Sequence, residues 1–370
     1  MPITLDGTNG ITTPTYGGAD TSEYLVPVTQ FKNRIINGAM VIDQRNAGAS
    51  GTAFGYTVDR WAYSANQASK LTWQQNAGSV TPPTGFSNYL GITSSSAYSV
   101  GATDYFLLTQ SIEGFNFADC AWGTANAKTI TLSFWVRSSL TGTFGGALQN
   151  SAQDRSYPFS YTISSANTWE QKSVTIAGDT SGTWIGATNG IGLRIYFSVG
   201  TGSTYSTAAN AWANGFFTAP TGAVSVVGTN GATFYITGVQ LEVGSTATSF
   251  DYRPYGTELQ LCQRYYARIV DPTCRGVSTS AAAGGASRLS VMFPVTMRAY
   301  PTFTTSGTFN FWNGSTTRTA TTATGIFGST STNMLDFDMD INAAFPAASQ
   351  AVCMYAIGSS PPSIMLSAEL

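Results

Sequence analysis

The segment TITLSFWVR, residues 129–137, indicates the fold class because its apolar and polar residues alternate. The apolar positions share one face of an extended chain and are Ile130, Leu132, Phe134 and Val136. A period of two is typical of a half-buried β-strand, and Trp135 on the second face predicts partial cover there as well. We therefore predict a strand over this segment.

Two further segments, residues 192–199 and 234–241, repeat this alternation. In the second of them, the alternation predicts that one face carries Tyr235, Val239 and Leu241 and that the other carries Phe234 and Ile236. Clusters of Gly, Ser, Thr and Asn separate such segments from residue 31 onward, and no helical pattern lies between them. This arrangement favours an all-β fold in which antiparallel sheets pack as a jelly-roll or β-sandwich.

One segment departs from the pattern. Thr257 and Gln260 have capping-box spacing, after which apolar residues recur at helical spacing until Pro272. The recurring residues are Leu259, Cys262, Tyr266 and Ile269. We predict a helix of about three turns here, which links two β domains.

These observations predict four parts. Residues 1–30 are polar and rich in turn signals, which is typical of an arm that becomes ordered on another chain. Residues 31–254 form the jelly-roll domain, residues 255–270 the linking helix, and residues 271–370 a smaller C-terminal β domain. After the loose stretch SAAAGGAS at residues 280–287, we expect strands at residues 289–295, 302–312, 335–341 and 351–357. Neighbouring copies are expected to complete the core of so small a domain.

Composition excludes several function classes. Only 10% of residues are charged and the net charge is −2, so no basic field is available for nucleic-acid binding. The chain has no histidine, which removes the usual general base, Ser-His and Cys-His activation, and the commonest metal ligand. The N-terminus lacks the pattern of a signal peptide, and no apolar run approaches the ~20 residues of a membrane span. We expect neither a cofactor nor membrane insertion.

The four cysteines are Cys120, Cys262, Cys274 and Cys353. None forms a C-x-x-C pair, so no zinc site or dithiol motif is predicted. We interpret them as buried thiols, with an oxidised Cys262–Cys274 pair as the alternative.

Four aromatic residues lie in turn-rich contexts and are candidates for carbohydrate binding: Trp122, Trp184, Tyr205 and Trp212. Ring faces pack on the apolar faces of sugars, while nearby amides and hydroxyls bond their edges. The alternative is that these rings fold back and close the ends of the sandwich.

Acidic residues offer weaker candidates. Asp336, Asp338 and Asp340 resemble the start of a calcium loop, but the residues between them are apolar, which favours an amphipathic strand. A cation shared by such strands at a subunit axis is the alternative. Four acids lie in loop-like contexts without any pairing pattern, so no catalytic residue is predicted: Glu113, Asp119, Asp154 and Asp179. Asn313-Gly314-Ser315 matches a glycosylation acceptor without a secretory context.

Several blocks of the sequence resemble a widespread group of bacteriophage tail and virion-fibre proteins. They are KNRIINGAMVIDQRNAG (residues 32–48), YTVDRW (56–61), SFWVRSS (133–139), ATFYITGVQLEVGSTATSFDYRPYGTELQLCQRYY (232–266), the terminal LSAEL and the opening MPITLDGTNGIT. The central region is also similar to jelly-roll carbohydrate-binding modules at residues 37–40, 169–176 and 234–242. Such modules often hold calcium through aspartates of the last strand, which residues 236–240 lack.

The resemblance implies a non-enzymatic virion structural protein on the exterior of the particle. On this hypothesis it is an oligomeric fibre or tail-associated protein, a trimer by analogy with fibres. Its arm attaches to other virion proteins and its jelly roll binds host-surface glycan. Two alternatives remain: a capsid- or neck-decorating protein, and a depolymerase that cleaves surface polysaccharide.

Overall fold

The computed structural model describes residues 4–6, 10–12, 32–278, 286–320, 323–326, 331–340, 351–355 and 361–370. The chain divides into two compact units, Met1–Lys32 and Asn33–Leu370. In the first unit, strand β1 (Thr4–Asp6) pairs with β2 (Gly10–Thr12) in an antiparallel hairpin. The remainder of the predicted arm at residues 1–30 lies outside the described residues.

A jelly-roll sandwich forms the first part of the larger unit. Its strands are β3 (Gly55–Tyr56), β4 (Ala62–Ala65), β5 (Leu71–Gln75), β6 (Leu90–Ser94), β7 (Tyr105–Glu113), β8 (Ile130–Ser138), β9 (Gly142–Gln149), β10 (Arg155–Ile163), β11 (Glu170–Ile176), β12 (Ile191–Thr201), β13 (Ser206–Thr207), β14 (Ala213–Asn214), β15 (Ala219–Pro220) and β16 (Thr233–Val243). One sheet has the order β14-β10-β9-β12-β7-β4-β3 and the facing sheet the order β11-β8-β16-β6-β5. All neighbours within these two sheets are antiparallel, whereas β13 and β15 form a short parallel pair. The predicted all-β fold is confirmed.

The core of the sandwich lies between these two sheets. All four predicted core positions of strand β8 are fully buried, which confirms the interpretation of residues 129–137. Phe134 packs edge to face on Phe197 of the opposite sheet, with ring centroids 5.0 Å apart. Burial of each such side chain stabilises the fold by about 1.5–3 kcal/mol, so the alternating pattern largely determines which faces meet.

Strand β16 differs from the prediction at Gly238. This residue has φ +60°, and the pairing with β8 shifts register between Thr237 and Gln240. The resulting β-bulge returns Val239 and Leu241 to the core side. The prediction that they lie opposite Phe234 and Ile236 is therefore wrong, because alternation holds only while the pleat is unbroken.

The linking helix is shorter than predicted. Helix α1 spans Tyr255–Gln263, begins at Pro254 without a side-chain cap, and is followed by strand β17 (Tyr266–Val270). Thr257 and Gln260 therefore do not form a capping box, and Tyr266 and Ile269 belong to a strand rather than to the helix. The helix ends early because residues 266–270 pair along their whole length with residues 363–367.

The second part of the larger unit is a smaller pair of sheets. Its remaining strands are β18 (Cys274–Ser278), β19 (Ala286–Met292), β20 (Thr302–Ser306), β21 (Phe309–Trp312), β22 (Thr317–Ala320), β23 (Ala323–Ile326), β24 (Met334–Asp340), β25 (Ala351–Tyr355) and β26 (Ser363–Ser367). The sheet orders are β17-β26-β20 and β22-β21-β25-β18-β19-β24-β23. The strand predicted over residues 302–312 is two strands, separated at Gly307 with φ +84°. Residues 280–285, 341, 356 and 357 of the predicted segments lie outside the described residues.

The two sandwiches have separate cores but belong to one compact unit. Between them, a third cluster contains Ile36, Ile42, Cys262 and Tyr265. The hydroxyl of Tyr265 donates to Glu113 Oε2 at 2.6 Å, and Glu113 also pairs with Arg264. Helix α1 and the residues after it therefore connect the parts through both apolar and ionic contacts.

The cysteines are reduced, and three of them are buried whereas Cys353 is half-buried. The alternative of a Cys262–Cys274 disulfide is therefore wrong. Cys262 belongs to the cluster at the helix, and Cys274 lies in the core of the C-terminal part. Among the described residues, no helix has the length and apolar character needed to span a bilayer.

Candidate functional site

A groove lies on the outer face of the seven-stranded sheet, where strands β4, β7 and β12 are neighbours. The pairing brings Ala62 and Tyr196 to either side of Thr109, and it places Arg194 beside Ser111. These positions alternate with core residues along their strands, so their side chains point away from the sandwich interior. The sheet itself therefore provides the floor of the groove.

The groove has a volume of about 330 Å³, within the size range of small-ligand sites. Its wall residues come from the segment before β3, from the β9–β10 turn and from the end of the chain. The full lining consists of Phe54, Gly55, Tyr56, Arg60, Ala62, Tyr63, Ser64, Thr109, Ser111, Gln153, Arg194, Tyr196 and Leu370. Aromatic rings, hydroxyls, an amide and guanidinium groups thus converge on one concavity.

Tyr196 lies on the floor of the groove, where its side chain is 5% exposed. Its hydroxyl accepts a hydrogen bond from Gln153 Nε2 at 3.0 Å, and its ring packs against Leu107 and Ala147. Burial raises the pKa of Tyr196, so the phenol is neutral across the physiological range. These contacts fix both the ring plane and its polar end.

Two arginines line the groove and differ in their surroundings. Arg60 is 2% exposed, pairs with Glu369, donates to Ser111 O at 2.6 Å and lies 3.6 Å over the ring of Tyr265. Arg194 is half-buried and donates Nη1 to Ser151 O at 2.9 Å. Arg60 is thus neutralised by the protein, whereas Arg194 forms no ion pair with any described carboxylate.

Two polar atoms of the groove have no hydrogen-bond partner within the described part of the chain. They are Thr109 Oγ1 and Arg60 Nε, and both are buried. Tyr63 Oη also has no described partner, but Tyr63 packs in the core of the sandwich. Burial raises the pKa of Tyr63. Unsatisfied buried polar atoms cost about 1–3 kcal/mol each, so they indicate a place where water or a ligand completes the hydrogen bonding.

A second, smaller cavity of about 120 Å³ lies beside Phe86, Phe250 and Tyr252. Its rings pack on one another, with centroids 5.1 Å apart for Phe86 and Phe250. Its charged residues are Asp251, Arg253 and Glu258, of which the last two form an ion pair at 3.2 Å. Asp251 accepts a hydrogen bond from the backbone N–H of Asn33.

Three of the predicted carbohydrate-binding residues lie together, outside the lining of the groove. Trp122, Trp184 and Trp212 pack edge to face, with centroids 4.8 to 5.5 Å apart. Trp122 is only 5% exposed, whereas the other two are half-buried. We call this group the tryptophan cluster.

Each indole N–H of the tryptophan cluster donates to the protein itself. The acceptors are Lys128 O for Trp122, Ser181 O and Asp179 for Trp184, and Ala177 O for Trp212, at 2.8 to 3.3 Å. Because Trp122 is a core residue, the expectation of an exposed ring there is wrong. Trp184 and Trp212 keep partial exposure, and their sugar-binding role stays a prediction.

Tyr205 lies in a different group of rings. It packs edge to face on Tyr105 and Phe216, at 5.8 and 5.1 Å between centroids. The ring of Phe216 also lies beside that of Tyr196, with 6.5 Å between their centroids. This group of rings therefore borders the sheet face that carries the groove. The role of Tyr205 in sugar binding likewise stays a prediction.

The acids considered from the sequence are held by partners. Asp119 pairs with Arg34 and Asp179 with Arg155, at 2.6 and 2.7 Å, and Asp154 accepts from the Asn150 amide. Burial favours a raised pKa for Glu113, but hydrogen bonds from Arg264 and Tyr265 outweigh it and lower that pKa.

The other sequence motifs have structural places. Asp338 binds Arg288 and Asp336 accepts from Ser290, both across the β19–β24 ladder, as expected of an amphipathic strand. Asn313 Oδ1 accepts from the backbone N–H groups of Ser315 and Thr316 in the β21–β22 turn. Among the described residues, no group of three or more acids or cysteines is placed to hold a metal ion.

Sequence reasoning did not single out the groove residues. The usable signal was present at residues 192–199, where Arg194 and Tyr196 occupy the face opposite the core positions. An aromatic residue on the outward face of a strand is exposed to solvent or to a ligand unless a loop covers it.

Comparison with known proteins gives distant structural neighbours. No family model and no curated protein matches the sequence. The enzymatically active domain of bacteriophage CBA120 tailspike protein 4 aligns with 57% of this chain and 21% of its own, at 14% identity and a TM-score of 0.32. TmCBM61 in complex with β-1,4-galactotriose aligns with 58% of this chain and 100% of its own, at 9% identity and a TM-score of 0.29.

A third neighbour is the family 11 carbohydrate-binding module of the cellulosomal cellulase Lic26A-Cel5E of Clostridium thermocellum. It aligns with 54% of this chain and 98% of its own, at 13% identity and a TM-score of 0.28. All three scores are below 0.5. The fold is therefore assigned from the sheet topology, and function is argued from the groove.

Proposed function

We propose that this protein is a non-catalytic glycan-binding protein that holds a saccharide in the groove over β4, β7 and β12. The observation that carries the proposal is the groove itself, which combines the exposed ring of Phe54 with the neutral polar side chains of Ser64, Thr109, Ser111 and Gln153. A sugar presents apolar faces and a hydroxyl rim, and this lining matches both.

The arrangement of acids supports a binding role over a catalytic one. Hydrolysis of a glycosidic bond by the usual route needs two carboxyl groups about 5–10 Å apart on either side of the bond. No Asp or Glu lines the groove, and Glu369, which precedes the lining residue Leu370, is held by Arg60 and Arg45. Incubation with a bound polysaccharide should release no new reducing ends.

The wider role that we propose is that of a virion structural protein, a fibre or tail-associated protein that attaches to host-surface glycan. It is supported by the sequence blocks that resemble bacteriophage tail and fibre proteins, among them residues 32–48 and 232–266. As a fibre component the protein would act as a homo-oligomer on the particle exterior. Light scattering after size exclusion tests this, and a strict monomer would contradict it.

A blocking substitution tests the groove directly. Ser64 and Thr162 both occupy outward positions of the seven-stranded sheet, but only Ser64 lines the groove. Ser64→Trp should abolish retention on glycan arrays or in affinity gels because the indole fills the cavity, whereas Thr162→Trp should bind as the wild type does. Equal binding by both variants would place the site elsewhere.

A further inference from the structure

The two arginines that line the groove differ in how their charge is compensated. Arg60 is neutralised by Glu369, but Arg194 has only a neutral acceptor, Ser151 O. Its cross-strand neighbours, Ser111 on β7 and Gln149 on β9, are neutral as well. In this part of the groove a ligand therefore meets a guanidinium that forms no ion pair with any described carboxylate.

Arg194 is also held in position. The bond from Nη1 to Ser151 O restrains the guanidinium, so less side-chain entropy is lost when a second partner binds. The remaining N–H groups of a guanidinium form a planar fork that fits a carboxylate in two parallel hydrogen bonds. Such charge-assisted bonds are stronger than the neutral bonds that hydroxyls offer.

The spacing of Arg194 and Tyr196 suits one sugar unit. Residues two apart on a strand lie on the same face about 6.6 Å apart. Substituents of one sugar unit can therefore reach both the Tyr196 hydroxyl and the Arg194 guanidinium. A carboxylate among them would lie beside the guanidinium that forms no ion pair with a described carboxylate.

We propose that the groove selects acidic saccharides, in which a carboxylate of a uronic-acid-type unit binds Arg194 while a hydroxyl of the same unit bonds the Tyr196 phenol. This inference rests on the proposed glycan-binding function and adds the chemical class of the ligand. It also assigns Arg194 as the residue that determines specificity.

The test uses ligand pairs that differ only in charge. The full-length chain is titrated calorimetrically with oligogalacturonates and oligoglucuronates and with their methyl-esterified counterparts. A separate titration uses an oligosaccharide that carries sulfate groups but no carboxylate. We expect at least one acidic member to bind about 10- to 100-fold more tightly than its ester, with an affinity that falls as salt rises.

Arg194→Gln should reduce the ratio of acidic to esterified affinity to about one. Arg137 provides a matched control because it is half-buried on the other sheet and likewise donates to a backbone carbonyl, Asn167 O at 2.9 Å. Arg137→Gln should leave the ratio unchanged. Thermal unfolding of both variants shows whether they remain folded, and Arg194→Lys should recover part of the preference if charge is the cause.

The outcomes separate the inference from the function on which it rests. Equal affinity for acids and esters, or a preference that survives in Arg194→Gln, overturns the acidic specificity while glycan binding stands. Binding of the sulfated ligand alone overturns the assignment to a carboxylate. If no saccharide binds, the proposed function fails together with the inference.

Discussion

The groove and the tryptophan cluster are both rich in aromatic residues, yet they use their polar atoms in opposite ways. In the tryptophan cluster all three indole N–H groups donate to acceptors within the protein, and the rings pack edge to face on one another. In the groove, Thr109 Oγ1 and Arg60 Nε have no partner among the described residues, and Arg194 has no described counter-charge. The cluster is chemically complete, and the groove is not.

This difference shows what separates a structural aromatic group from a binding one. The loop tryptophans pack over the end of the sandwich and close it. Burial of such a large ring stabilises the fold only if its N–H finds an acceptor, and here each indole N–H does. Side chains at outward positions of a strand cannot turn into the core, since the pleat directs them away from it. Unsatisfied polar atoms beside a fixed ring are therefore a better indication of a site than aromatic residues in loops.

The largest expected effect is on stability in the tryptophan cluster. Trp122→Ala should lower the free energy of unfolding by about 3–5 kcal/mol, because it leaves a cavity and removes the ring on which Trp184 and Trp212 pack. Trp184→Phe, which keeps a ring, serves as the control with a loss below about 1.5 kcal/mol. Urea denaturation measures both. A Trp122→Ala variant that keeps wild-type stability but no longer binds glycan would contradict this account, because it would assign sugar binding to the tryptophan cluster rather than to the groove.

A second prediction concerns how buried carboxylates are compensated in the two regions. Asp179, beside the tryptophan cluster, pairs with Arg155, whereas Asp59, next to Arg60, is bound by the backbone and side-chain amides of Gln44. Burial raises the pKa of Asp59 to about 7, although the Gln44 hydrogen bonds oppose it. A raised carboxyl pKa stabilises the fold fully below the unfolded pKa and loses that effect as pH rises through about 7.

The free energy of unfolding should therefore fall by about 2–3 kcal/mol through Asp59 between pH 5 and pH 8. Asp59→Asn should show a correspondingly smaller fall over this range. Denaturant titrations at several pH values provide the measurement. An unchanged pH dependence in the variant would show that Asp59 stays ionised in the folded protein.

The third prediction concerns the ion pair behind the groove. Glu369→Gln should lower the free energy of unfolding by about 2 kcal/mol, because it leaves the buried guanidinium of Arg60 without a counter-charge. Glu170→Gln is the control. Glu170 pairs with Lys172 on the edge strand β11 of the other sheet, where both side chains are partly exposed, and such surface pairs contribute below about 1 kcal/mol. Thermal and urea unfolding test the difference. Similar losses in both variants would mean that Glu369 does not neutralise Arg60.

The smallest expected effect separates the groove from the neighbouring rings. Tyr196→Phe removes the bond from Gln153 and should weaken glycan binding about 3- to 10-fold, with little change in stability. Tyr205→Phe, on a ring outside the groove lining, should leave the affinity unchanged. Calorimetric titration compares the two. A loss confined to Tyr205→Phe would move the site toward the loop aromatics.

How far the sequence predicts this molecule depends on whether the relevant pattern is local. The alternation at residues 129–137 is local and identifies the core face of β8 without error. Tyr266 and Ile269 fit a helical spacing as well as a strand, so only the pairing with β26 decides their structure. Gly238 within a strand is a visible signal of a bulge, and the faces of β16 follow from it.

The groove was not predictable in the same way. Its floor needs strands β4, β7 and β12 side by side, although they are distant in sequence, and no short motif marks that adjacency. The tryptophans in turns were visible, but their exposure depends on long-range packing that closes the sandwich end. Composition and alternation thus predict the layers, whereas the sheet order determines the site.

The most direct test of the central claim is a crystal structure with the oligosaccharide that binds most tightly. We predict a pyranose ring in the groove formed by β4, β7 and β12, with its polar substituents within hydrogen-bond distance of Gln153 and Arg194. A sugar stacked instead on Trp184 and Trp212, with the groove empty, would contradict the account.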